Sequence, residues 1–170
     1  MDLVRAVCHM MLFKNDVQLV IVGNGEREYE DFFRWLEEAY PEKVKALITY
    51  DRALSRRVYA AADFFIMPSR SEPCGIAQMI ASRYGAVPIV RETGGLYDTV
   101  KNYSDEGKVI GGNGLTFSDY SPKELYKQIA RACELYSDQK KMRSLQQRVM
   151  KIDFSWARSA EEYADLYNTL

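Results

Sequence analysis

Short apolar runs alternate along this chain with longer stretches in which apolar residues return every three or four positions. That alternation predicts its elements. Residues 2–14 place Leu3, Ala6, Val7, Met10 and Phe13 on one face of an amphipathic helix. The run 17–22 is a buried strand ended by Gly23-Asn24-Gly25. Tyr29, Phe32, Phe33, Leu36 and Tyr40 mark a helix closed by Pro41. Residues 44–50 make a second strand, and a helix follows from Asp51 through Val58 and Ala61. Phe64-Phe65-Ile66-Met67 is a third strand, stopped by Pro68. The next helix opens at Cys74 or Gly75, repeats Ile76, Met79 and Ile80 on one face, and halts at Gly85.

Residues 87–90 form a fourth strand that runs into Thr93-Gly94-Gly95-Leu96 and a short helix reaching residue 103. Residues 101–114, with four glycines, read as a loop, and Leu115-Thr-Phe117 as a short strand. Ser121-Pro-Lys-Glu124 reads as a capping box with proline at the first helical position. Asp138 caps another helix ending near Met150. Asp153-Phe-Ser-Trp156 opens the last one, with Trp156, Ala160, Tyr163, Tyr167 and Leu170 on one face. Strands alternating with helices predict an α/β fold, a Rossmann-like doubly wound sheet in which the strands near Val17, Val44, Phe64 and Val87 are parallel neighbours. Such a unit normally begins with a strand, and this sequence opens on a helix, so it is expected to start mid-unit.

Composition narrows the classes. The 170 residues are 47% hydrophobic, enough for one cored domain, and the net charge of −1 gives no general attraction to nucleic acid or an anionic membrane. Three cysteines (Cys8, Cys74, Cys133) at unrelated spacings argue against a disulfide framework and for a reducing compartment, the cytoplasm. With one histidine, His9, no metal-ligand pattern arises, so neither a metal nor another cofactor is expected. No apolar run approaches the ~20 residues of a membrane span.

The candidate chemistry lies at two strand-to-helix turns. Gly23-Asn24-Gly25 fails the dinucleotide fingerprint, because the third glycine position holds Glu28. Glu72 stands in a polar loop after the third strand, and Thr93-Gly94-Gly95-Leu96 follows the fourth. Both fall at the carboxyl edge of a parallel sheet, where open α/β folds bind ligands. Adjacent glycines leave N–H groups unshielded for a phosphate or a sugar hydroxyl. Tyr50 ends a strand at the same edge and is either core or a flat surface for a nucleobase. Cys74 has no histidine near it in sequence and reads as a packed residue rather than a nucleophile.

Together, Pro68-Ser-Arg-Ser-Glu-Pro-Cys-Gly75, Arg83-Tyr-Gly85, Pro88 and Thr93-Gly-Gly-Leu96 resemble the bacterial glycogen synthase and plant starch synthase family. Asp153-Phe-Ser-Trp156, Ser159-Ala160, Tyr163 and Leu166-Tyr167 resemble that family's carboxyl terminus. The resemblance covers essentially the whole chain. It implies one half of a GT-B architecture: residues 1–170 as the C-terminal donor-binding domain, with 153–170 as a terminal segment crossing back toward an N-terminal acceptor domain. It implies a retaining glucosyltransferase that moves glucose from ADP-glucose to an α-1,4-glucan. Glu72 would hold hydroxyls of the donor glucose and act as the catalytic residue. Backbone N–H groups of Cys74 and Gly75, and the Thr93, Gly94, Gly95 and Leu96 turn, would contact the sugar and the diphosphate. Tyr50 would stack on the adenine.

Two departures stand out. Ile80 occupies the position of a second glutamate found in the wider class, and Ser71 a position where an aromatic residue is common. The family's arginine and lysine, which neutralise the departing diphosphate, precede the helix that here begins at Asp2. They lie outside this sequence, as does the acceptor domain. Without them, helix N-termini of about half a charge each remain, so the chain is expected to bind better than it catalyses. The alternatives are a stand-alone nucleotide- or glucan-binding module and a GT-B transferase that uses another nucleotide sugar.

Overall fold

A computed structural model describes residues 1–104 and 111–169. Residues 105–110 of the expected loop and Leu170 of the expected terminal face lie outside the described residues. The chain runs α1 (Asp2–Lys14), β1 (Leu19–Val22), α2 (Arg27–Ala39), β2 (Val44–Leu47), α3 (Arg52–Ala61), β3 (Phe64–Met67) and α4 (Ala77–Arg83). It continues through β4 (Val87–Arg91), α5 (Gly95–Thr99), β5 (Leu115–Phe117), α6 (Pro122–Ser137), α7 (Gln139–Met150) and α8 (Trp156–Asn168). Every strand pairing is parallel.

The strands do not form the single sheet expected from the sequence. β1 and β2 pair from Leu19 opposite Val44 to Val22 opposite Leu47. A separate sheet has the order β3-β4-β5, with Phe64 opposite Val87 and Ile89 opposite Leu115. No ladder joins β1 to β3 among the described residues. What unites the two sheets is side-chain packing. One apolar cluster runs from Val7, Cys8 and Leu12 of α1 through Phe33, Leu36 and Val44 to Ile89, Leu115, Leu125 and Leu145. α1 packs along α6, and α6 along α7 and β5, so the helices bridge what the backbone does not.

Local chemistry sets the boundaries. Asp51 accepts from the N–H groups of Ala53 and Leu54, which starts α3; β2 ends at Leu47, three residues before Tyr50. Asp138 caps α7 by accepting from Lys141 N–H, as expected. Pro122 opens α6, but the Ser121 side chain makes no cap bond, so the expected box is not closed. α5 stops at Thr99 instead of reaching 103, because residues 102 and 104 are drawn into bridges with Gly114 and Gly111.

α4 departs further. It opens at Ala77, not at Cys74 or Gly75. Its buried residues are Gln78, Ala81 and Ser82, while Ile76 and Ile80 are exposed. The apolar spacing therefore marks the outer face. Small side chains let the helix lie close on β4 and α7, and proximity here outweighs the hydrophobicity of the branched residues.

Candidate functional site

The carboxyl ends of β3 and β4 are neighbours by register, Met67 standing opposite Val90. Their following loops are therefore delivered to the same edge, as the sequence predicts for Glu72 and Thr93. The first loop, residues 68–76, is fixed by Arg91 at the end of β4. Its guanidinium donates to the carbonyls of Arg70 at 2.9 Å, Ser69 at 3.5 Å and Ser118 at 2.9 Å. Arg70 and Arg91 also sit over the Tyr120 ring, 4.9 and 5.7 Å from its centroid. Glu72 is half-buried, and its carboxylate accepts one long hydrogen bond, 3.4 Å from Ser69 Oγ.

The second loop is pressed against the first. Gly95 N–H donates to the Glu72 carbonyl at 3.1 Å. A Cβ on Gly94 would overlap that same carbonyl oxygen, and one on Gly95 would overlap the carbonyl oxygen of Cys74. Gly94 also has φ +48°, which side chains rarely adopt. The glycine pair is thus a condition of contact between two backbones. It also redirects donors that were expected to face a ligand. Gly95 N–H is bonded to Glu72 and Leu96 N–H to Thr93 C=O at 3.1 Å. Gly94 N–H has no backbone partner among the described residues.

The structure therefore brings Glu72, Cys74, Gly75 and the Thr93–Leu96 turn into one interlocked unit. Tyr50 stands apart at the end of the other sheet. It is 82% exposed, and no ring contact joins it to the unit among the described residues. Cys74 is exposed, not packed as the sequence suggested. Cys8, by contrast, is buried on α1, and burial pushes its thiol up to about 12. No group of three or more metal-ligating side chains occurs among the described residues, and no helix there is long and apolar enough to cross a membrane.

The family model of the glycosyl transferases group 1 matches residues 2–149. The chain belongs to that family. Within it, the chain is 48% identical over 167 residues to the glycogen synthase of Bacillus subtilis (strain 168), covering 98% of this chain and 34% of that protein. It is likewise 48% identical over 160 residues to the glycogen synthase of Clostridium botulinum (strain Alaska E43 / Type E3), covering 94% and 33%. The chain thus spans about a third of the length of these curated relatives. Among solved structures, the catalytic domain of starch synthase IV from Arabidopsis thaliana, bound to ADP and acarbose, superposes with a TM-score of 0.83. The two are 38% identical over 99% of this chain and 35% of that one. Sucrose-phosphate synthase from Thermosynechococcus elongatus shares the fold at a TM-score of 0.68 and 22% identity, over 98% of this chain and 41% of that one.

Sequence reasoning missed three residues of this candidate site. Arg91 stands just after the apolar run 87–90, where nothing in the spacing announces that it holds the neighbouring loop. Gln78 and Thr99 join the two loops from beneath through the Gln78 amide. One signal was available for Gln78: a polar residue among the small residues of a helix that must pack against a sheet.

Proposed function

We propose that this chain is the donor-nucleotide-binding domain of a retaining glucosyltransferase of the glycogen synthase type, taking ADP-glucose and elongating an α-1,4-glucan. One observation carries the reading. The loop bearing Glu72 and the Gly94-Gly95 turn are locked together at the carboxyl edge of the β3-β4-β5 sheet. The likeness to an ADP-bound starch synthase domain supports the choice of nucleotide.

In this reading the half-buried Glu72 carboxylate accepts hydrogen bonds from the glucose hydroxyls. The N–H groups of Cys74, Gly75 and Gly94 face the sugar and diphosphate, while those of Gly95 and Leu96 hold the turn that presents them. Tyr50 offers its exposed ring to the adenine. Residues 153–170 cross toward an acceptor domain that contacts the glucan. A nucleotide-sugar donor and an exposed free thiol at Cys74 both suit the cytoplasm.

Transfer develops negative charge on the departing diphosphate, and an enzyme without a metal must meet it with fixed positive charge. Arg91 is committed to three carbonyls. The chain alone therefore binds ADP weakly, with a Kd on the order of 0.1–1 mM, or about −4 to −5.5 kcal/mol. It transfers no detectable glucose from labelled ADP-glucose to glycogen.

Calorimetry with ADP on wild type and Tyr50→Ala tests the binding. Tyr50 is so exposed that the substitution leaves stability unchanged. Stacking on a base is worth about 1–3 kcal/mol, so affinity should fall at least fivefold. An unchanged Kd removes Tyr50 from the site, absence of ADP binding by wild type removes the reading, and robust glucose incorporation overturns the account of the missing charge.

A further inference from the structure

Gln78 is fully buried, and its Oε1 has no hydrogen-bond partner. A buried orphan acceptor is costly, and an apolar residue of the same length would avoid it. The amide nitrogen explains what is gained. Nε2 donates to the Gly75 carbonyl at 2.6 Å and to Thr99 Oγ1 at 3.0 Å. Thr99 Oγ1 in turn donates to the Gly95 carbonyl at 2.6 Å. The amide has one orientation open to it, because the Gly75 carbonyl accepts only. A continuous path of three hydrogen bonds thus runs from the loop carrying Glu72 and Cys74 to the turn carrying Gly94.

We propose that Gln78, acting through Thr99, is a positioning residue for nucleotide binding: it latches the Gly75 peptide to the Gly95 peptide from inside the fold. On the outer side the two loops are already joined by the Gly95 N–H to Glu72 carbonyl bond. The inner latch closes the other side. The contact is then a two-point clamp that cannot pivot about a single hydrogen bond. The orphaned Oε1 is the cost of placing an amide there, since its NH2 group can serve two acceptors on different segments, the Gly75 carbonyl and Thr99 Oγ1. Gln78 touches no ligand in this scheme and acts through the peptide units it fixes. The proposal rests on the reading of this edge as the donor-nucleotide site.

Amide hydrogen exchange and an ADP titration, both followed by NMR on this chain, test it. The variants are Gln78→Met, Thr99→Val, their double, and Thr99→Ser, which restores the hydroxyl. Ile129→Val, in the core of α6, controls for general loss of stability. Exchange at Gly95 N–H should quicken at least tenfold in Gln78→Met and Thr99→Val, and ADP affinity should fall about three- to tenfold, as for loss of one buried hydrogen bond. Thr99→Ser and Ile129→Val should leave both near wild type. The double variant should be no worse than the worse single one, because both break one path. Unchanged Gly95 exchange in both Gln78→Met and Thr99→Val, or equal loss in Thr99→Ser and Thr99→Val, overturns the latch. If wild type binds no ADP, the nucleotide reading fails by itself, and Gly95 exchange still decides whether the latch exists.

Discussion

Gly95 shows how tightly a single position can be specified. Its φ lies outside the left-handed region, so the objection to a side chain there is contact alone: a methyl would strike the Cys74 carbonyl oxygen. Because that oxygen belongs to backbone, the strain cannot be relieved by rotating a side chain. Gly95→Ala should destabilise the chain by about 1–3 kcal/mol, the range for overpacking, as read by urea denaturation, and should abolish ADP binding. The cysteines differ as sharply. With its thiol near 12, Cys8 is thiolate in about one molecule in 10,000 at pH 8, whereas Cys74 is exposed. Iodoacetamide at pH 8 should label Cys74 first, more slowly with saturating ADP, and should reach Cys8 only on unfolding.

Between elements, the clearest polar tie joins α2 to β2. The Glu37 carboxylate accepts from Lys45 Nζ and from Ala46 N–H, and both bonds hold its pKa below the ordinary 4.5, the Lys45 bond most. A depressed carboxylate stabilises the fold above its unfolded pKa, and that stabilisation is lost as pH falls through the folded value. Glu37→Gln should therefore melt below wild type at pH 7, and the gap should close as pH drops from 4.5 downward. The elements themselves were largely legible, since β1, β3, β4 and β5 are short apolar runs and α1, α2 and α6 repeat with helical spacing. The inner face of α4 was not. Apolar spacing reports which side chains avoid water, whereas α4 is placed by how near Ala81 and Ser82 allow it to approach β4. Of the site, Glu72 and Gly94-Gly95 announced themselves through turn chemistry. The bonds of Gln78 to Thr99 and of Arg91 to the Arg70 carbonyl did not, because each joins residues that are distant in sequence and that only the folded chain brings near.

For the molecule as a whole, the main described core joins α1, α2, β2, β4, β5, α6 and α7, and α8 adds little to it. Trp156, Tyr163 and Tyr167 are 86%, 60% and 70% exposed, so the aromatic face expected on the last helix is uncovered in the isolated chain. Contiguous exposed aromatics favour association. Replacing Tyr163 and Tyr167 together by serine should change stability by no more than about 0.5 kcal/mol per site while raising the concentration at which light scattering detects aggregates.

The separation of β1-β2 from β3-β4-β5 has a bearing on selectivity. Backbone ladders are stiff and directional, whereas packed side chains permit two layers to slide by small amounts. Glu72 and Gly94 follow strands of one ladder and are tied by the Gly95 N–H to Glu72 carbonyl bond, so the span between them is stiff. Tyr50 lies three residues beyond β2 of the other sheet, so its span to Gly94 is the more compliant one. If the proposed donor reaches across both, it would meet a strict gauge at its sugar and diphosphate and a forgiving one at its base. Discrimination among sugars should accordingly be sharper than discrimination among nucleobases.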